Sequence, residues 1–458
     1  MQQAHFLWRI NGIAGRLRPA VLSLCVLLIA GCGLAVLAEE DDAARQSAPH
    51  KPARMTDQLS ATTFGTAVAT AVRAHPDLTG QSARLDIAQA NLASIRAGAR
   101  PQVSLGADMS SLLVGGTAGS ARAVPVLQAS QLLFDAGAIR ARLRAGREGV
   151  LGQEIDREEL AAKLTLDAVA ARLDLQHQRG LMRLADANLE EHRALLARIR
   201  DRVEAGAGSD ADRLSAESRL ADATARRAAI RSDLDRAEVV HAELFGALPG
   251  DRGTVPPAPD LPAGEVETVI ATSPRLRAVD VRIAAAVATR DAVQASIWPA
   301  LTLDVEARQP RSGTEVSAVI QPRAVIAGGG QRSAALARAD AEVAGLLAER
   351  QAVARDVARA LAFARSDRQS GQAQLEAARA ARAANAAAQM ATRDQFDAGR
   401  RDTSALLEAQ RDLFQASIAL AEADRSLLLS GYAALALTGD ILDVFGLRAG
   451  LVATPVAP

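Results

Sequence analysis

Two stretches of the chain decide the fold: VEAGAGSDADRLSAESRLADA at 203–223 and FDAGRRDTSALLEAQRDLFQA at 396–416. Each places a glycine and a short polar turn between two helical runs rich in alanine and leucine. The two glycines, Gly206 and Gly399, lie 193 positions apart. A turn that recurs in this way indicates two copies of one helical hairpin.

The similarity extends well beyond the turns. Residues 75–105 align without a gap to residues 273–303, at an offset of 198, and residues 124–137 align to 317–330 at an offset of 193. The second copy is therefore five residues shorter between the matched segments. These matches predict an internal duplication, with a proline-rich joint at 248–265 between the copies.

Each copy has the same predicted order: a helix, a β-hairpin, a very long helix and a returning helix. Alternation of apolar and polar residues predicts the strands, and a run of 66 residues without proline predicts each long helix of a coiled coil. The predicted segments are a signal peptide at 1–38, a flexible segment at 39–59, repeat 1 at 60–247 (β-hairpin 101–135, coiled-coil hairpin 138–246), the joint at 248–265, repeat 2 at 266–440 (β-hairpin 299–327, coiled-coil hairpin 331–438) and a C-terminal tail at 441–458.

The N-terminus predicts export from the cytoplasm. Its first 18 residues contain arginines and no acid, and a short apolar run follows, as in a secretory signal. Two processing sites are compatible with this segment. IAGC, ending at Cys32, fits a bacterial lipoprotein box in which Cys32 is lipidated, whereas Val36 and Ala38 fit an ordinary signal-peptidase site.

Composition argues against several classes of function. Lys+Arg and Asp+Glu number 53 each, so the zero net charge offers no support for a nucleic-acid partner. Aromatic residues make up only 2% of the chain, which is low for a globular enzyme, and Trp298 and Phe134 are nearly alone near the predicted strands.

No motif indicates a catalytic, cofactor or metal site, so we expect no enzyme activity, no cofactor and no metal. His75, His177, His192 and His241 are dispersed, without a ligand partner at helical spacing. The segment AGGGQR at 327–332 is rich in glycine but lacks the lysine and hydroxyl residue of a phosphate loop.

Two β-hairpins supply only four strands. About eight strands are needed to close a small barrel around its own side chains, so one chain is too short of strands. A trimer would supply twelve. The sequence therefore favours a composite barrel, built by several copies of the chain, that continues into a tube of helices.

The ordered motifs of both copies resemble the TolC family of outer membrane channel proteins. They are P-x-V-S-L at 101–105, QLLFDAGAIRARL at 131–143, G-x-x-S-x-x-D-x-L-x-A-E at 206–217 and G-x-x-x-T-x-x-L-L-E-A-Q at 399–410. The resemblance covers about residues 60–445. It implies a homotrimer with a 12-stranded outer membrane β-barrel in lipid and a periplasmic α-helical barrel. It also implies docking to a periplasmic adaptor and an inner-membrane RND or ABC transporter, for efflux or type I secretion.

The resemblance places a gate at the helical turns. By position, Asp212, Arg401 and Phe396 are the residues whose contacts between coils would hold the tube closed, with Arg401 and Asp212 as a pair. Glu408 would be a pore-lining acid, although Ala405 stands where the family pattern leads one to expect a second. Asp212 and Arg401 could instead be solvated helix charges. Gly206 and Gly399 would serve the backbone of the turns.

Two other functions compete with the channel. A periplasmic adaptor also carries a coiled-coil hairpin, but it should have one hairpin flanked by lipoyl-like and β-rich segments. A coiled-coil scaffold outside the membrane would not need four alternating strands. The two hairpins and four strands of this chain favour the channel.

Overall fold

A computed structural model describes residues 58–110, 113–114, 117–118, 122–246, 253–260, 266–309, 313–324 and 329–448. The predicted signal peptide, with Cys32, and much of the predicted joint lie outside these residues. Among the helices of the described ranges, none combines the length and the apolar character that a membrane crossing requires.

The first repeat contains the predicted order of elements, preceded by an additional helix. Its elements are α1 (Thr63–Ala74), α2 (Pro76–Gly98), β1 (Gln102–Ser110), β2 (Leu113–Val114), β3 (Thr117–Ala118), β4 (Arg122–Phe134), α3 (Ala138–Glu204) and α4 (Asp210–Phe245).

The second repeat follows the same order. Its elements are α5 (Val266–Ala271), α6 (Pro274–Ala295), β5 (Ala300–Arg308), β6 (Glu315–Arg323), α7 (Gln331–Asp397), α8 (Thr403–Thr438) and the short α9 (Ile441–Val444). The prediction of a mainly helical, internally duplicated chain with a small β part is confirmed. The two long helices, α3 and α7, each have 67 residues.

Local capping explains how the first two helices divide. The Thr62 side chain accepts a hydrogen bond from the Gly65 N–H at 2.9 Å and caps the start of α1. His75 is extended (φ −68°, ψ 132°), as expected for the residue before a proline, and Pro76 then occupies the first position of α2. The sequence prediction began the helix at this X-Pro pair and missed α1.

The described residues group into two compact units that cut across the repeats. The first comprises Leu85–Gly152 and Val281–Leu347 and contains the four-stranded sheet. The second comprises the described residues of Ala53–Arg84, Gln153–Asp280 and Ala348–Pro458 and contains the helical turns. Each unit therefore takes matching parts from both copies.

The four-stranded sheet is antiparallel, in the order β1-β4-β5-β6. Because directly opposite residues share a face, the register separates two kinds of side chain. The face that we call the apolar face carries Val103, Leu105, Ala107, Pro125, Leu127, Ala129, Leu301, Leu303, Val305, Ala307, Val316, Ala318, Ile320 and Pro322. Its polar member is Gln131, whose amide donates to the Ala99 carbonyl at 2.9 Å.

The opposite face, which we call the polar face, holds the charged side chains of the sheet. Valines and Leu132 are interspersed among them. The polar members are Gln102, Ser104, Asp108, Gln128, Ser130, Thr302, Asp304, Glu306, Arg308, Glu315, Ser317, Gln321 and Arg323.

A β-bulge breaks this alternation at the end of β4. The register shifts between Leu132 and Phe134, so that Phe134 stands opposite Leu301. Strict alternation would have placed Phe134 on the polar face. The bulge therefore returns its ring to the apolar face, a typical use of such an irregularity.

The scarce aromatic residues concentrate in the main hydrophobic core of the second unit. Phe64 meets Phe445 edge-on at 5.8 Å between ring centroids, and Tyr432 lies 6.2 Å from Phe445. The buried Tyr432 hydroxyl donates to the Pro256 carbonyl at 2.9 Å. Helices that are otherwise rich in alanine thus meet around a few large rings.

The C-terminal end of the described chain belongs to this core. The sequence analysis assigned a tail from residue 441, but Ile441, Leu442, Val444 and Phe445 are fully buried. Gly439, with φ +74°, ends α8 and lets the chain fold back. Apolar residues at four positions in five give too short a pattern for periodicity to identify as a helix.

We expect opposite effects from two glycine-to-alanine substitutions in helix interiors. A Cβ at Gly431 would lie 2.6 Å from the Ala258 Cβ, so Gly431→Ala should lower the free energy of unfolding by about 1–3 kcal/mol through overpacking. At Gly345 nothing lies within 4 Å, so Gly345→Ala should raise it by about 0.5–1 kcal/mol. Thermal unfolding followed by far-UV circular dichroism checks both, and a stabilising Gly431→Ala would contradict the packing described.

Candidate functional site

The two helical turns have the same backbone. In the first turn, residues 205–209, Gly206 has φ +71° and the Ala207 N–H donates to the Arg202 carbonyl at 2.7 Å. In the second turn, residues 398–402, Gly399 also has φ +71° and the Arg400 N–H donates to the Gln395 carbonyl at 2.8 Å. The left-handed conformation favours glycine and satisfies carbonyls at the helix end.

Each returning helix starts at a side-chain cap. The Ser209 hydroxyl accepts from the Asp212 N–H at 3.2 Å, while the Asp212 carboxylate accepts from the Ser209 N–H at 3.0 Å, which makes a complete capping box. At the matching positions of the second turn, Asp402 accepts from the Ala405 N–H at 3.1 Å. Ala405 has no side chain with which to return the bond.

Hydrogen bonding stabilises the ionised form of both capping acids. The Ser209 hydroxyl and then the Ser209 N–H lower the pKa of the Asp212 carboxyl, with smaller contributions from Thr403 and Arg202. The Ala405 N–H and then the Ser404 hydroxyl lower the pKa of Asp402. Both acids therefore remain charged well into the acidic range.

The residues of the predicted gate occupy different environments within one chain. Arg401 donates from Nε to the Gln395 side-chain oxygen at 3.0 Å, whereas Asp212 bonds to Ser209. The described residues of one chain thus do not bring Arg401 and Asp212 together as an ion pair. Glu408 is exposed on α8. Contacts of these side chains with a second copy remain a prediction.

Phe396, also assigned to the predicted gate, is buried inside the chain. Its side chain is 2% exposed and packs in a hydrophobic cluster of both hairpins. The other buried members of this cluster are Leu195, Leu196, Ile199, Ala216, Leu406 and Leu407. Phe396 therefore fastens the end of α7 to the first hairpin.

Arg202 was missed by the sequence analysis, and it connects the hairpins directly. Its guanidinium carbon lies 4.5 Å from the Phe396 ring centroid, and its Nη1 donates to the Phe396 carbonyl at 2.9 Å. We call this contact the Arg202 clasp. Stacking on a ring combined with a charge-assisted hydrogen bond is a strong arrangement for arginine. An arginine in the last turn of a helix is too common for the sequence to have singled it out.

Buried amides form a second connection between the two hairpins. Gln389 of α7 donates to the Gln410 side chain of α8 at 3.2 Å, and Gln410 donates to the Asn188 side chain of α3 at 3.2 Å. All three side chains are buried. Because each amide finds a partner only when the helices are in register, this chain of bonds specifies how the hairpins pack.

None of the described residues forms a cluster of three or more His, Cys, Asp or Glu that could hold a metal ion. The histidines singled out in the sequence analysis are separate from one another. Burial lowers the pKa of His177 and of His192. The turns are built for contact between helices.

Comparison with known proteins identifies the class. A family model described as "Outer membrane efflux protein" matches residues 68–247 and 266–439, one copy in each segment. The chain therefore belongs to the outer membrane efflux protein family. Members of this family are channels of the outer membrane with a periplasmic helical part, and they are not enzymes. The protein is an exit duct for tripartite efflux systems, in which the family works with adaptor and inner-membrane pump partners.

Individual relatives agree with this assignment. Outer membrane efflux protein BepC of Brucella suis is 28% identical over 410 residues, which cover 85% of this chain and 88% of BepC. Among solved structures, CusC superimposes with a TM-score of 0.77 at 18% identity, covering 84% of this chain and 93% of CusC. The open state of the MtrE channel of Neisseria gonorrhoeae gives 0.76 at 19% identity, covering 83% and 90%. The adaptor and scaffold alternatives are thereby set aside.

The capping box predicts a pH-dependent effect of Asp212→Asn. A lowered pKa in the folded state means that the ionised carboxylate contributes stability above the unfolded-state pKa of about 3.9. That contribution disappears as the pH falls through the folded-state value. We expect protection of the amides of residues 209–213 to fall about two- to fivefold at pH 7, corresponding to about 0.5–1 kcal/mol, and to fall by less at pH 2.5.

Protection factors from hydrogen exchange, read by mass spectrometry, provide the measurement. Asp222→Asn is the matched control, because Asp222 is an exposed carboxylate on the same helix that lies outside the cap. An equal loss of protection at both pH values would show that the carboxylate charge at residue 212 does not stabilise the turn.

Proposed function

We propose that the protein works as a homotrimer in which three sheets join edge to edge into one ring of twelve strands. Among the described residues of one chain, β1 and β6 each pair on one side only, so this sheet has two open edges. The strands alternate in direction, and β6 of one copy would therefore lie antiparallel to β1 of the next. Such pairing would supply partners for the backbone groups of both edges.

The observation that carries this proposal is the division of the sheet into the apolar face and the polar face. On the apolar face, Val103 is 61%, Leu105 69% and Ile320 60% exposed in a single chain. Large exposed apolar side chains in a row need an apolar environment. In the ring, the apolar face would meet lipid, and the polar face would line an aqueous passage.

The two turns are proposed as the gate and the docking end of the duct. Asp212, Arg401, Phe396 and Glu408 are the residues assigned to the gate, and the Arg202 clasp adds a contact that holds the second hairpin against the first. The glycines of the turns would present their exposed backbone to a periplasmic adaptor. The inner-membrane partner would be an RND or ABC transporter.

Export sets the context for assembly. The predicted signal peptide would direct the chain to the periplasm, and lipidation of Cys32 would add an acyl anchor to a trimer already held by its strands. Substrates would pass through the ring without a chemical step. The direction of transport would come from the energy of the inner-membrane pump.

Two neighbouring residues of β6 test the assignment of the faces. Ile320 lies on the apolar face and Val319 on the polar face, and both are exposed in one chain. A lysine facing the hydrocarbon costs about 2–4 kcal/mol, so Ile320→Lys should reduce the folded trimer in the outer membrane fraction at least tenfold. Val319→Lys should leave the trimer in place and shift the channel towards anions.

The amount of trimer is read from its heat-sensitive band on a gel, and ion selectivity from reversal potentials in planar lipid bilayers. A purified protein that forms no conducting channel would sink the proposal. So would a reversal of the two results, with Val319→Lys blocking insertion and Ile320→Lys altering selectivity, because the faces would then be wrongly assigned.

The Arg202 clasp gives a prediction for gating. Arg202→Ala removes the ring contact and the hydrogen bond to the Phe396 carbonyl, so we expect a single-channel conductance at least twice that of the wild type. Arg200→Ala is the control, since Arg200 lies on the same helix but bonds to Glu217 within the first hairpin, at 2.8 Å. Equal conductance in wild type and Arg202→Ala would exclude the clasp from the gate.

A further inference from the structure

The first unit contains a groove of about 680 Å³ where β4 and β5 meet the adjoining helices. We call it the aromatic groove. Phe134 and Trp298, the two aromatic residues that stand nearly alone near the strands, both line it, together with Leu301. Arg140 and Asp291 supply its charged groups. These residues come from both repeats, and no motif in the sequence predicts that they lie together.

The apolar part of the groove continues the apolar face of the sheet. The bulge in β4 places Phe134 opposite Leu301 on that face, and Phe134 remains 54% exposed. Trp298, at the end of the preceding helical segment, is 67% exposed. Two large rings that are open to the surroundings, next to a row of exposed aliphatic side chains, form a surface for a hydrocarbon chain.

The polar part of the groove is lined by one basic and one acidic side chain, Arg140 and Asp291. The Asp291 carboxylate is compensated from outside the lining by Arg144 and Arg290, each at 3.1 Å. Arg140 is exposed, and among the described residues it has no acidic partner. The uncompensated charge of the lining is therefore the Arg140 guanidinium, which makes this end of the groove complementary to an anion.

A fixed turn positions Arg140. The Asp135 carboxylate accepts hydrogen bonds from the Gly137 N–H at 3.1 Å and the Ile139 N–H at 2.5 Å, which caps the start of α3. Between them Ala136, itself a lining residue, adopts φ +54°, a conformation that costs a residue with a side chain about 1 kcal/mol. The backbone thus accepts local strain where the strand turns into the helix and presents Arg140 to the groove.

We propose that the aromatic groove binds an anionic phospholipid. The guanidinium of Arg140 holds the phosphate through paired N–H···O bonds, and the rings of Phe134 and Trp298 cover the first part of an acyl chain. The inference rests on the proposed orientation of the apolar face towards lipid. The helical side of the sheet is the periplasmic side, so the lipid belongs to the inner leaflet, at the depth where tryptophan side chains concentrate.

Charge and continuity favour this occupant over a protein partner or a zwitterionic lipid. A peptide would have to enter the hydrocarbon layer to reach the part of the groove formed by Phe134 and Leu301. The ammonium group of a zwitterionic lipid would lie close to the Arg140 guanidinium that holds its phosphate. A phosphate with net negative charge and an attached acyl chain matches both ends of the groove.

Trp298 provides a direct measurement. The chain has two tryptophans. Trp8 lies in the predicted signal peptide, and Trp8→Phe removes it from any chain that still carries this segment, so that Trp298 is the single tryptophan. The Trp8→Phe protein is reconstituted into phosphatidylcholine vesicles with increasing amounts of brominated phosphatidylglycerol, which quenches a neighbouring indole. A parallel titration uses brominated phosphatidylcholine, and the ratio of the two gives the relative binding constant of the anionic lipid.

We expect a relative binding constant of about 5 for the Trp8→Phe protein and about 1 after the additional substitution Arg140→Gln. Arg142→Gln is the matched control, because Arg142 is an exposed arginine on the same helix that does not line the groove. It should leave the constant unchanged. Quenching by brominated phosphatidylcholine in every variant shows that the protein is inserted.

Three results would overturn the inference. One is a constant near 1 for the Trp8→Phe protein, and another is an unchanged constant in Arg140→Gln. The third is an equal loss in Arg140→Gln and Arg142→Gln, which would reflect general attraction to the surface charge. If neither brominated lipid quenches Trp298, the strands do not face lipid and the proposed assembly fails too. If both brominated lipids quench Trp298 without a preference for the anionic one, only the inference of lipid binding in the groove is overturned.

Discussion

Unpaired backbone groups at the outer edges of β1 and β6 are the constraint on which the rest of this molecule depends. The sheet of one chain ends at both strands, while its apolar face is too hydrophobic to remain in water. An exposed strand edge recruits further strands, and in hydrocarbon an unsatisfied N–H or C=O costs several kcal/mol. Both difficulties disappear when identical sheets join. In the proposed trimer the chain is one third of the working structure, and the duplication supplies two hairpins for each third.

The two copies have the same backbone conformation at their turns but differ in their side-chain contacts. Gly206 and Gly399 have the same φ of +71°, and each returning helix begins at a capping residue. Yet Asp212 completes a capping box where its counterpart, Ala405, cannot, and Arg202 reaches across to the second hairpin. Backbone geometry is determined by a few residues at each turn, so the remaining positions were free to differ. A side chain of one hairpin can then bond to the other hairpin, as Arg202 does with the Phe396 carbonyl.

Sequence reasoning was most successful where local chemistry decides the structure. Prolines, the turn glycines and strict alternation identified the order of elements, because each acts within a few residues of its own position. It missed α1, and it assigned Ile441 and Phe445 to a tail, although both are fully buried. These residues pack in one core with Phe64, which lies far away along the chain. No periodicity within a short segment records such a contact.

The candidate sites show the same limit more sharply. Phe396 could be placed near the turn from its position in the repeat, but its burial under Arg202 depends on the way in which two hairpins pack. The hydrogen bonds among the buried amides of Asn188, Gln410 and Gln389 could not be predicted from the sequence either. Glutamine is common in helices, and its role is clear only when its neighbours are known. The sequence around such a residue does not show that its side chain specifies how the helices pack.

The small number of aromatic residues takes on a meaning once their positions are known. Phe363 and Phe414 lie within long helices, whereas other rings cluster where helices end. Phe64, Tyr432 and Phe445 fill the core at which the chain folds back after α8. Phe134 and Trp298 instead stay exposed beside the strands. Rings buried in a core need no further partner, whereas two exposed rings next to the exposed Arg140 require an explanation from the surroundings of the protein. In the proposed assembly those surroundings are lipid, and the junction of strand and helix would lie at the depth at which hydrocarbon gives way to phosphate.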